Sequence, residues 1–269
     1  MQSARFIDST VTIMYYGTRP PYYGGEHITL DNETEQADYS QVHIFRLQKD
    51  EWKDLDEVTL PYIGVVKKQP VQPRRRLVAM TMFKDDYRLI PGYVRYYKEL
   101  GVEHFFMYYN KRMGSDPLPD LPDVTYIEWD YPYYNQEYGH WAQITAINDF
   151  LYWAKHFADY VLFNDLDEFI QVPLDLTGDK LCYGFTNRFV TLDDPSQTGD
   201  IKNKKIKLFD WSNDFPRKSK CIVSTRQVVT MGVHQPNIPR YNEENTKILG
   251  EFFHVSNFED RTRVTGLEK

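Results

Sequence analysis

Apolar and polar residues alternate in blocks through the middle of the chain, and these blocks predict strands and helices in turn. Four stretches rich in apolar residues have the length of buried strands. They are residues 77–83, 102–109, 124–129 and 160–163. Between them, apolar residues recur every three or four positions from about Tyr87 to Leu100 and from about Glu137 to Ala158. That spacing predicts two amphipathic helices.

The first predicted helix has a defined apolar face and defined ends. Asp85 or Asp86 precedes its first turn and is placed to cap the backbone N–H groups there. Gly101 follows the last turn and suits the left-handed conformation in which many helices end. The apolar face, by which the helix is expected to pack on the sheet, consists of Ile90, Val94, Tyr97 and Leu100.

The predicted elements follow one another as strand, helix, strand, strand, helix and strand. This order is typical of an α/β fold in which a mostly parallel, Rossmann-like sheet is flanked by helices. Residues 1–73 differ, because short β-like runs at 11–16 and 42–47 alternate there with Pro, Gly and acidic stretches. Segment 69–76 contains two prolines and three arginines and predicts a connector. We therefore expect a small β-rich N-terminal segment, followed by an α/β domain over residues 74–269.

Composition argues against several classes of protein. Of the 269 residues, 41% are hydrophobic and 26% are charged, and no apolar run is long enough to span a membrane. A net charge of −7 argues against nucleic acid as the main partner. The sequence shows no secretory signal, although a removed membrane anchor stays compatible with it. Cys182 and Cys221 are too few for a disulfide scaffold, so we expect a reducing, cytoplasmic compartment.

An acidic turn after the fourth predicted strand is the most informative stretch. Asp165 and Asp167 follow the apolar run 160–163, and Phe169 and Ile170 then return to apolar character. Parallel strands present ligand sites at their carboxyl ends, and closely spaced carboxylates hold a divalent cation beside a diphosphate. The alternative is an acidic turn that only caps a helix. The two strand and helix units before the turn favour a metal and phosphate site.

Four stretches of the chain resemble family 92 glycosyltransferases, which are related to family 2 enzymes of the GT-A fold. They occur in the family's order and cover about residues 77–257. The stretches are Phe83-Lys84-Asp85-Asp86-Tyr87 continuing through Leu100-Gly101-Val102 to Asn110, Gln143 to Phe150 followed by Tyr160 to Ile170, Lys220-Cys221-Ile222-Val223 through Gly232-Val233-His234, and Phe253-His254.

The resemblance implies transfer of a hexose or pentose from a UDP- or GDP-linked nucleotide sugar to a carbohydrate acceptor, with inversion at the sugar carbon. It also implies Mn²⁺ or Mg²⁺ at Asp165 and Asp167, where the cation neutralises the charge of the leaving nucleoside diphosphate. His254 is placed to complete the coordination, because Mn²⁺ tolerates an imidazole. A packed structural histidine is an equal alternative for His254.

The nucleoside is expected over the ends of the first two strands of the α/β domain. The predicted contacts there are Thr81, Phe83, Asp85 and Asn110. Helix capping is the competing role for Asp85. Glu168 is expected to hold a donor-sugar hydroxyl or to brace the acidic turn. Lys218 and Lys220 are expected near the diphosphate unless they form a solvated basic face, and His234 near the substrate unless it is structural.

The last third of the chain contains the candidates for a catalytic base. Its periodicity is weak, with short strands predicted at 221–223 and 228–230. Inversion requires a carboxylate that takes the proton of the acceptor hydroxyl. Asp210 and Asp214 are candidates because the aromatic residues beside them suit an acceptor sugar. An ordinary acidic surface loop is an equal alternative.

Two rival functions stay open from the sequence. A haloacid dehalogenase-like phosphatase also ends an apolar strand in Asp-x-Asp, but it has a small hydroxyl residue two positions after the second Asp. This chain has Phe169 there, and its motif lies in the middle of the chain. A carbohydrate-binding protein without catalysis would use the many aromatic residues, which include 21 Tyr and 5 Trp.

Overall fold

The computed structural model describes eight stretches of the chain, residues 2–16, 33–37, 40–60, 63–134, 141–192, 206–208, 219–236 and 244–255. They contain the α-helices α1 (Ile90–Glu99) and α2 (Trp141–Ala154) and 3-10 turns at Asp50–Trp52 and Tyr87–Leu89. The strands are β1 (Gln2–Ile7), β2 (Thr10–Tyr16), β3 (Glu33–Ala37), β4 (Ser40–Gln48), β5 (Glu57–Leu60), β6 (Gly64–Lys67), β7 (Arg75–Phe83), β8 (His104–Tyr109), β9 (Val124–Glu128), β10 (Ala158–Phe163), β11 (Glu168–Ile170), β12 (Cys182–Leu192), β13 (Ile206–Leu208), β14 (Ser219–Ser224) and β15 (Thr246–Val255). Neither α-helix is long and apolar enough to cross a membrane.

Nine strands form one large sheet in which parallel and antiparallel pairs are mixed. Their order is β11-β15-β12-β14-β10-β7-β8-β9, with β13 beside β12. The strands from β10 to β9 are parallel to one another, whereas β14 lies antiparallel to both β10 and β12. The predicted α/β fold is confirmed, but the sheet is mixed rather than mostly parallel. The departure lies in the last third, where weak periodicity carried no information on strand direction.

Alternate residues of the central strands face opposite sides of the sheet, and each side packs on one helix. Leu77 and Ala79 of β7 share a core with α1, whereas Val78 and Met80 share a core with α2. All six residues of β8 are buried. A strand covered on both faces has no polar side, which explains the continuous apolar runs of the sequence.

The helix α1 agrees with its prediction except at the start. It begins at Ile90 after a 3-10 turn, and neither the turn nor the helix has a side-chain cap hydrogen bond. The expected capping by Asp85 or Asp86 is therefore wrong, and Asp85 forms an ion pair with Lys111 instead. Gly101 follows the helix with a φ of 94°, the left-handed conformation that glycine adopts readily.

The helix α2 ends at Ala154, four residues earlier than predicted, and Ala158 is the first residue of β10. Both alanines belong to the same core, so the apolar pattern continues across the turn between helix and strand. The predicted start near Glu137 lies outside the described residues. The strand predicted at 228–230 is also wrong, because these residues are irregular and precede an isolated bridge at Met231.

The N-terminal segment is rich in strands, as predicted. The strands β1 to β4 form an antiparallel sheet, and β5 and β6 form a hairpin. Arg5 of β1 is buried against α2, where its Nε lies 3.0 Å from the carboxylate of Asp149 and its guanidinium lies 4.8 Å from the ring centroid of Trp153. This buried contact attaches the segment to the large sheet. The domain division at residue 73 stays a prediction.

Candidate active site

A cleft of about 210 Å³ opens at the carboxyl ends of β7, β8 and β10. The structure brings five predicted site residues together in its lining: Phe83, Asp85, Asn110, Asp165 and Asp167. Each of them ends or follows one of these strands, and parallel strands present their carboxyl ends at the same edge of the sheet. The other lining residues are Met82, Lys84, Asp86, Leu89, Tyr133 and Leu166.

Asp165 is held by donors on both carboxylate oxygens. Its Oδ2 accepts a hydrogen bond from Lys220 Nζ at 3.1 Å, and its Oδ1 accepts one from Gln143 Nε2 at 3.3 Å. Its backbone N–H donates to Glu168 Oε2 at 2.8 Å, and the N–H of Glu168 donates back to the Asp165 carbonyl at 3.1 Å. Glu168 therefore braces the turn, which is one of its two expected roles. The strand β11 follows at once, so the turn caps no helix.

Lys220 is a buried cation between two carboxylates. Its side chain is 4% exposed, and Nζ lies 3.1 Å from Asp165 Oδ2 and 3.3 Å from Glu168 Oε2. Burial lowers the pKa of Lys220, but the charges of the two carboxylates outweigh burial and raise that pKa above its ordinary value. Burial raises the pKa of Glu168 to about 7, against the opposing charge of Lys220. The solvated basic face is therefore wrong for Lys220, whereas Lys218 lies outside the described residues.

Two tyrosines of α1 fix the backbone on either side of the acidic turn. Asn164 accepts a hydrogen bond from the Tyr93 hydroxyl at 2.6 Å and donates to the Tyr97 oxygen at 2.8 Å. The Tyr97 hydroxyl donates to the Glu168 carbonyl at 2.8 Å and accepts from the Ile170 N–H at 3.2 Å. Burial raises the pKa of both tyrosines well above its ordinary value, so both hydroxyls stay protonated.

His254 reaches the acidic turn through the pairing of β15 with β11, which sets it opposite Glu168. Its Nε2 lies 3.3 Å from Asp167 Oδ2, and its Nδ1 lies 3.8 Å from Glu168 Oε1. Its ring packs against Phe189 with a centroid distance of 4.8 Å. The ring of His254 is thus packed and also contacts a cleft carboxylate, and its role as a metal ligand stays a prediction.

Lys111 forms a second cluster of charges on the β8 side of the cleft. Its ammonium makes ion pairs with Asp85 and, at 2.9 Å, with Asp116. The Tyr109 hydroxyl donates a hydrogen bond to the same Asp116. All three charged side chains are partly exposed, so this cluster is hydrated where the Lys220 site is not.

Asn110 fixes the wall between the two charged clusters. Its side-chain nitrogen donates to the carbonyls of Trp129 and Tyr131, at 2.8 Å in each case. Tyr133, two residues further on, lines the cleft, and its hydroxyl donates to Gln143 Oε1 at 3.3 Å. Since Gln143 also bonds the acidic turn, a continuous path of contacts links this wall to the carboxylates.

A small hollow of about 10 Å³ adjoins the buried lysine. Its polar lining residues are Thr81, Gln143, Asn164, Asp165 and Lys220. The Thr81 hydroxyl is buried, and among the described residues it has no hydrogen-bond partner. Thr81 therefore lies beside Lys220 rather than among the residues that line the larger cleft.

The donor atoms at the acidic turn fit a divalent cation that takes part of its ligands from a substrate. Asp165 and Asp167 offer hard oxygen ligands of the kind that Mg²⁺ and Mn²⁺ take, and both line the cleft. Over the stretches that the structure describes, no three His, Cys, Asp or Glu side chains form a ready metal cluster. Magnesium is commonly held by one or two carboxylates plus substrate phosphates, and these residues match that arrangement rather than a cage of protein ligands.

Three predicted site residues are not among those that the structure brings together in the cavities. His234 lines neither of the two cavities, and its backbone carbonyl accepts a weak hydrogen bond from the Cys221 thiol at 3.7 Å. Asp210 and Asp214, the candidate bases, lie outside the part of the chain that the structure describes.

Sequence reasoning missed Gln143 and Tyr133 as site residues. Gln143 is a buried polar residue in the first turn of α2, among apolar neighbours, and that contrast was the available signal. No local pattern marked Tyr133, because its contact with Gln143 depends on how a loop and a helix meet in three dimensions.

Comparison with known families gives one match. The model described as Glycosyltransferase family 92 matches residues 77–266. The match begins within β7 and extends past β15, so it includes all the residues that form the cleft and the smaller hollow. No curated protein and no solved structure matches the chain.

Proposed function

Because the chain belongs to glycosyltransferase family 92, we propose that it moves a hexose or pentose from a UDP- or GDP-linked donor to a carbohydrate acceptor. We include in this proposal a GT-A type arrangement of the sheet and inversion at the transferred sugar carbon. One observation carries the proposal. Two closely spaced carboxylates, Asp165 and Asp167, share a cleft with Phe83, Asp85 and Asn110 at the carboxyl ends of parallel strands.

Asp165 and Asp167 are the proposed ligands of Mn²⁺ or Mg²⁺, with His254 beside Asp167 as a third ligand. When bound, the cation supplies positive charge that neutralises the leaving nucleoside diphosphate. The protein contributes a fixed direction for Asp165, whose carboxylate is oriented by the neutral amide of Gln143. Orientation of this kind matters because a ligand set that must rearrange binds its cation more weakly.

The position of each remaining side chain suggests which part of the donor it contacts. Phe83, Asp85 and Asn110 are proposed to contact the nucleoside, since they lie on the β7 and β8 side. Lys220 is proposed to stabilise the diphosphate together with Thr81, which lines the same hollow. Glu168 supports the turn and needs no direct contact with the donor, because its carboxylate already accepts the Asp165 N–H.

Removal of the acceptor proton requires a carboxylate outside the metal site, because carboxylates that ligate a cation are poor bases. Asp210 and Asp214 are the proposed candidates on the strength of their aromatic neighbours in the sequence. Replacing each by Asn should separate them, since loss of the base lowers kcat while the affinity for donor nucleotide is retained.

Turnover of nucleotide sugars tests the proposed function directly. The full chain is incubated with a panel of UDP- and GDP-sugars, with Mn²⁺ and with a chelator, and free nucleotide is measured. We expect metal-dependent release for one donor, loss of release in Asp167→Ala, and full release in Asp175→Asn, whose carboxylate pairs with Lys247 on the surface.

The same assay separates the rival functions. A carbohydrate-binding protein would release no nucleotide under any condition, and a phosphatase would release phosphate from simple phosphate esters. A thermal-shift panel of nucleotides gives an independent measure, because a bound ligand raises the melting temperature. Absence of any shift with both UDP and GDP in the presence of Mn²⁺ would contradict the proposed donor class.

A further inference from the structure

Resting on the proposed function, we propose that Lys220 makes the binding of the divalent cation and of the nucleoside diphosphate depend on each other. Its ammonium group donates a hydrogen bond to the carboxylate of Asp165, which is a proposed ligand of the cation. The cation alone is therefore held weakly, and it is held firmly only when a diphosphate arrives with it. The site thus selects a metal complex of the nucleotide over the free metal ion.

The contacts of Asp165 compete with a bound cation. Both of its carboxylate oxygens accept hydrogen bonds from buried protein donors, Lys220 on one side and Gln143 on the other. A cation that binds Asp165 must share these oxygens with the two donors or displace one of them. The amide of Gln143 is neutral, so the charge competition comes from Lys220.

The positive charge of Lys220 repels a cation bound at Asp165. The ammonium is 3.1 Å from Oδ2, so a cation bound to that oxygen at about 2.1 Å could lie at most about 5 Å from the ammonium, and a cation bound to Oδ1 at most about 7 Å. That separation is shorter than the Debye length of about 8 Å at physiological salt, and the lysine side chain is only 4% exposed. Solvent ions therefore screen the repulsion between the two cations only weakly, and the affinity for metal alone is reduced.

A diphosphate offsets this repulsion. Its negative oxygens attract both cations, so the repulsion between Lys220 and the metal is outweighed while the anion is bound. Binding of the anion then strengthens binding of the cation, and by linkage the cation strengthens binding of the anion by the same factor.

The contacts of Lys220 leave it able to bind an anion as well. The ammonium has three N–H donors, and among the described residues Asp165 and Glu168 accept two of them. The third N–H can be donated to a phosphate oxygen. The Thr81 hydroxyl lines the same hollow as Lys220 and is a buried group without a hydrogen-bond partner among the described residues, so it offers a second donor for that phosphate.

Calorimetric titration of the full chain tests this coupling. Mn²⁺ is titrated alone and again in the presence of saturating UDP or GDP, for the wild type, Lys220→Met and Lys247→Met. Methionine keeps most of the apolar stem of lysine and removes the charge. Lys247 is a matched control because it also pairs with an aspartate, Asp175. Lys247 lies on β15, seven residues before His254, which is a distance of about 23 Å along the strand.

We expect the wild type and Lys247→Met to bind Mn²⁺ at least about tenfold more tightly with the nucleoside diphosphate than without it. Lys220→Met should bind Mn²⁺ alone about tenfold more tightly than the wild type, and the nucleotide should then improve its Mn²⁺ affinity by a smaller factor than in the wild type. The direct attraction between Mn²⁺ and the diphosphate remains in this variant, whereas the competition from Lys220 is gone. A folded Lys220→Met that binds Mn²⁺ alone no more tightly than the wild type overturns the inference. A wild type whose Mn²⁺ affinity is the same with and without the nucleotide also overturns the inference.

Two controls separate this test from a failure of the variant to fold and from a failure of the proposed function. If Lys220→Met shows no cooperative thermal transition, Lys220→Gln replaces it, since glutamine also removes the charge and keeps two donors for Asp165 and Glu168. If neither neutral variant folds, the wild-type comparison of Mn²⁺ affinity with and without nucleotide decides. A wild type that binds neither Mn²⁺ nor any nucleotide contradicts the proposed function itself, which is a different result from binding without coupling.

Discussion

The cleft has a lysine between two carboxylates on each of two sides, and the two clusters differ mainly in burial. In the Lys220 cluster, with Asp165 and Glu168, the side chains are 4%, 22% and 3% exposed. In the Lys111 cluster, with Asp85 and Asp116, they are 27%, 33% and 19% exposed. Charges that water cannot reach depend on each other, whereas hydrated charges are nearly independent. The same three charged groups can therefore carry different consequences on the two sides.

The largest expected difference between the clusters is in catalysis. Asp165→Asn should lower kcat/KM for sugar transfer by about 100-fold or more, because it removes a proposed metal ligand, and even outer partners of such ligands are worth about 10- to 100-fold. Asp85→Asn should cost less than about tenfold and act on KM, since it loosens a nucleoside contact at a hydrated site. Steady-state kinetics with saturating Mn²⁺ measures both. Equal losses in the two variants would contradict the assignment of the metal to the Asp165 side.

Removing the central lysine should separate the clusters by stability. Lys220→Ala should lower the free energy of unfolding by about 3–5 kcal/mol, because it leaves the buried Glu168 and the partly exposed Asp165 without their counter-charge. Lys111→Ala should leave the unfolding midpoint nearly unchanged, since water replaces the lysine at Asp85 and Asp116. Urea unfolding at pH 7.5 compares the two variants with the wild type. Similar midpoints for both variants would show that burial does not distinguish the two clusters.

The tyrosines that support the clusters offer a finer comparison. Tyr97→Phe should lower the free energy of unfolding by about 1–3 kcal/mol, because the Glu168 carbonyl, the Ile170 N–H and Asn164 lose a buried partner. Tyr109→Phe removes only the hydroxyl that meets the partly exposed Asp116, so a smaller loss is expected. Both changes delete one oxygen from a fully buried ring, which makes them a matched pair in urea unfolding. A larger loss of stability for Tyr109→Phe than for Tyr97→Phe would contradict the stronger supporting role that we assign to Tyr97.

The difference between the clusters also shows which features the sequence could predict. The strands β7, β8 and β10 were predictable because they are buried on both faces and read as unbroken apolar runs. Their parallel order then placed Asp85, Asn110 and the acidic turn at one edge of a sheet. Local pattern and strand topology were sufficient for that part of the site.

The partners inside each cluster were not predictable in the same way. Lys220 lies 55 residues from Asp165 along the chain, and it meets Asp165 only because β14 inserts antiparallel beside β10. Short strands with weak periodicity carry no signal for their direction, so a lysine on such a strand resembles a surface residue. Gln143 was hidden for a related reason, because its polar side chain points from an apolar helix toward a turn that the helix pattern does not reveal.

The smallest expected effect lies at the other end of the same strands, away from both clusters. His104 begins β8, and its Nε2 lies 2.8 Å from Thr125 Oγ1 while Arg75 lies 3.4 Å from its Nδ1. Burial, with the charge of Arg75, lowers the pKa of His104 from 6.5 to about 4. Between these values the unfolded chain binds a proton that the folded chain does not, so stability is full above about pH 6.5 and falls as the pH drops toward 4.

Unfolding of the wild type and His104→Gln by urea at pH 7.5 and pH 5 isolates this contribution. Glutamine has no titratable group, and it keeps a polar partner for Thr125. The wild type should lose about 1 kcal/mol more than the variant on going to pH 5, because only part of the interval between the two pKa values has been crossed at that pH. Mn²⁺ affinity should be equal in the two proteins at pH 7.5, since His104 lies at the amino end of β8 and the cleft lies at its carboxyl end. An equal pH dependence in both proteins would mean that the imidazole is solvated in the folded chain, and a changed Mn²⁺ affinity would mean that the two ends of the strand are coupled.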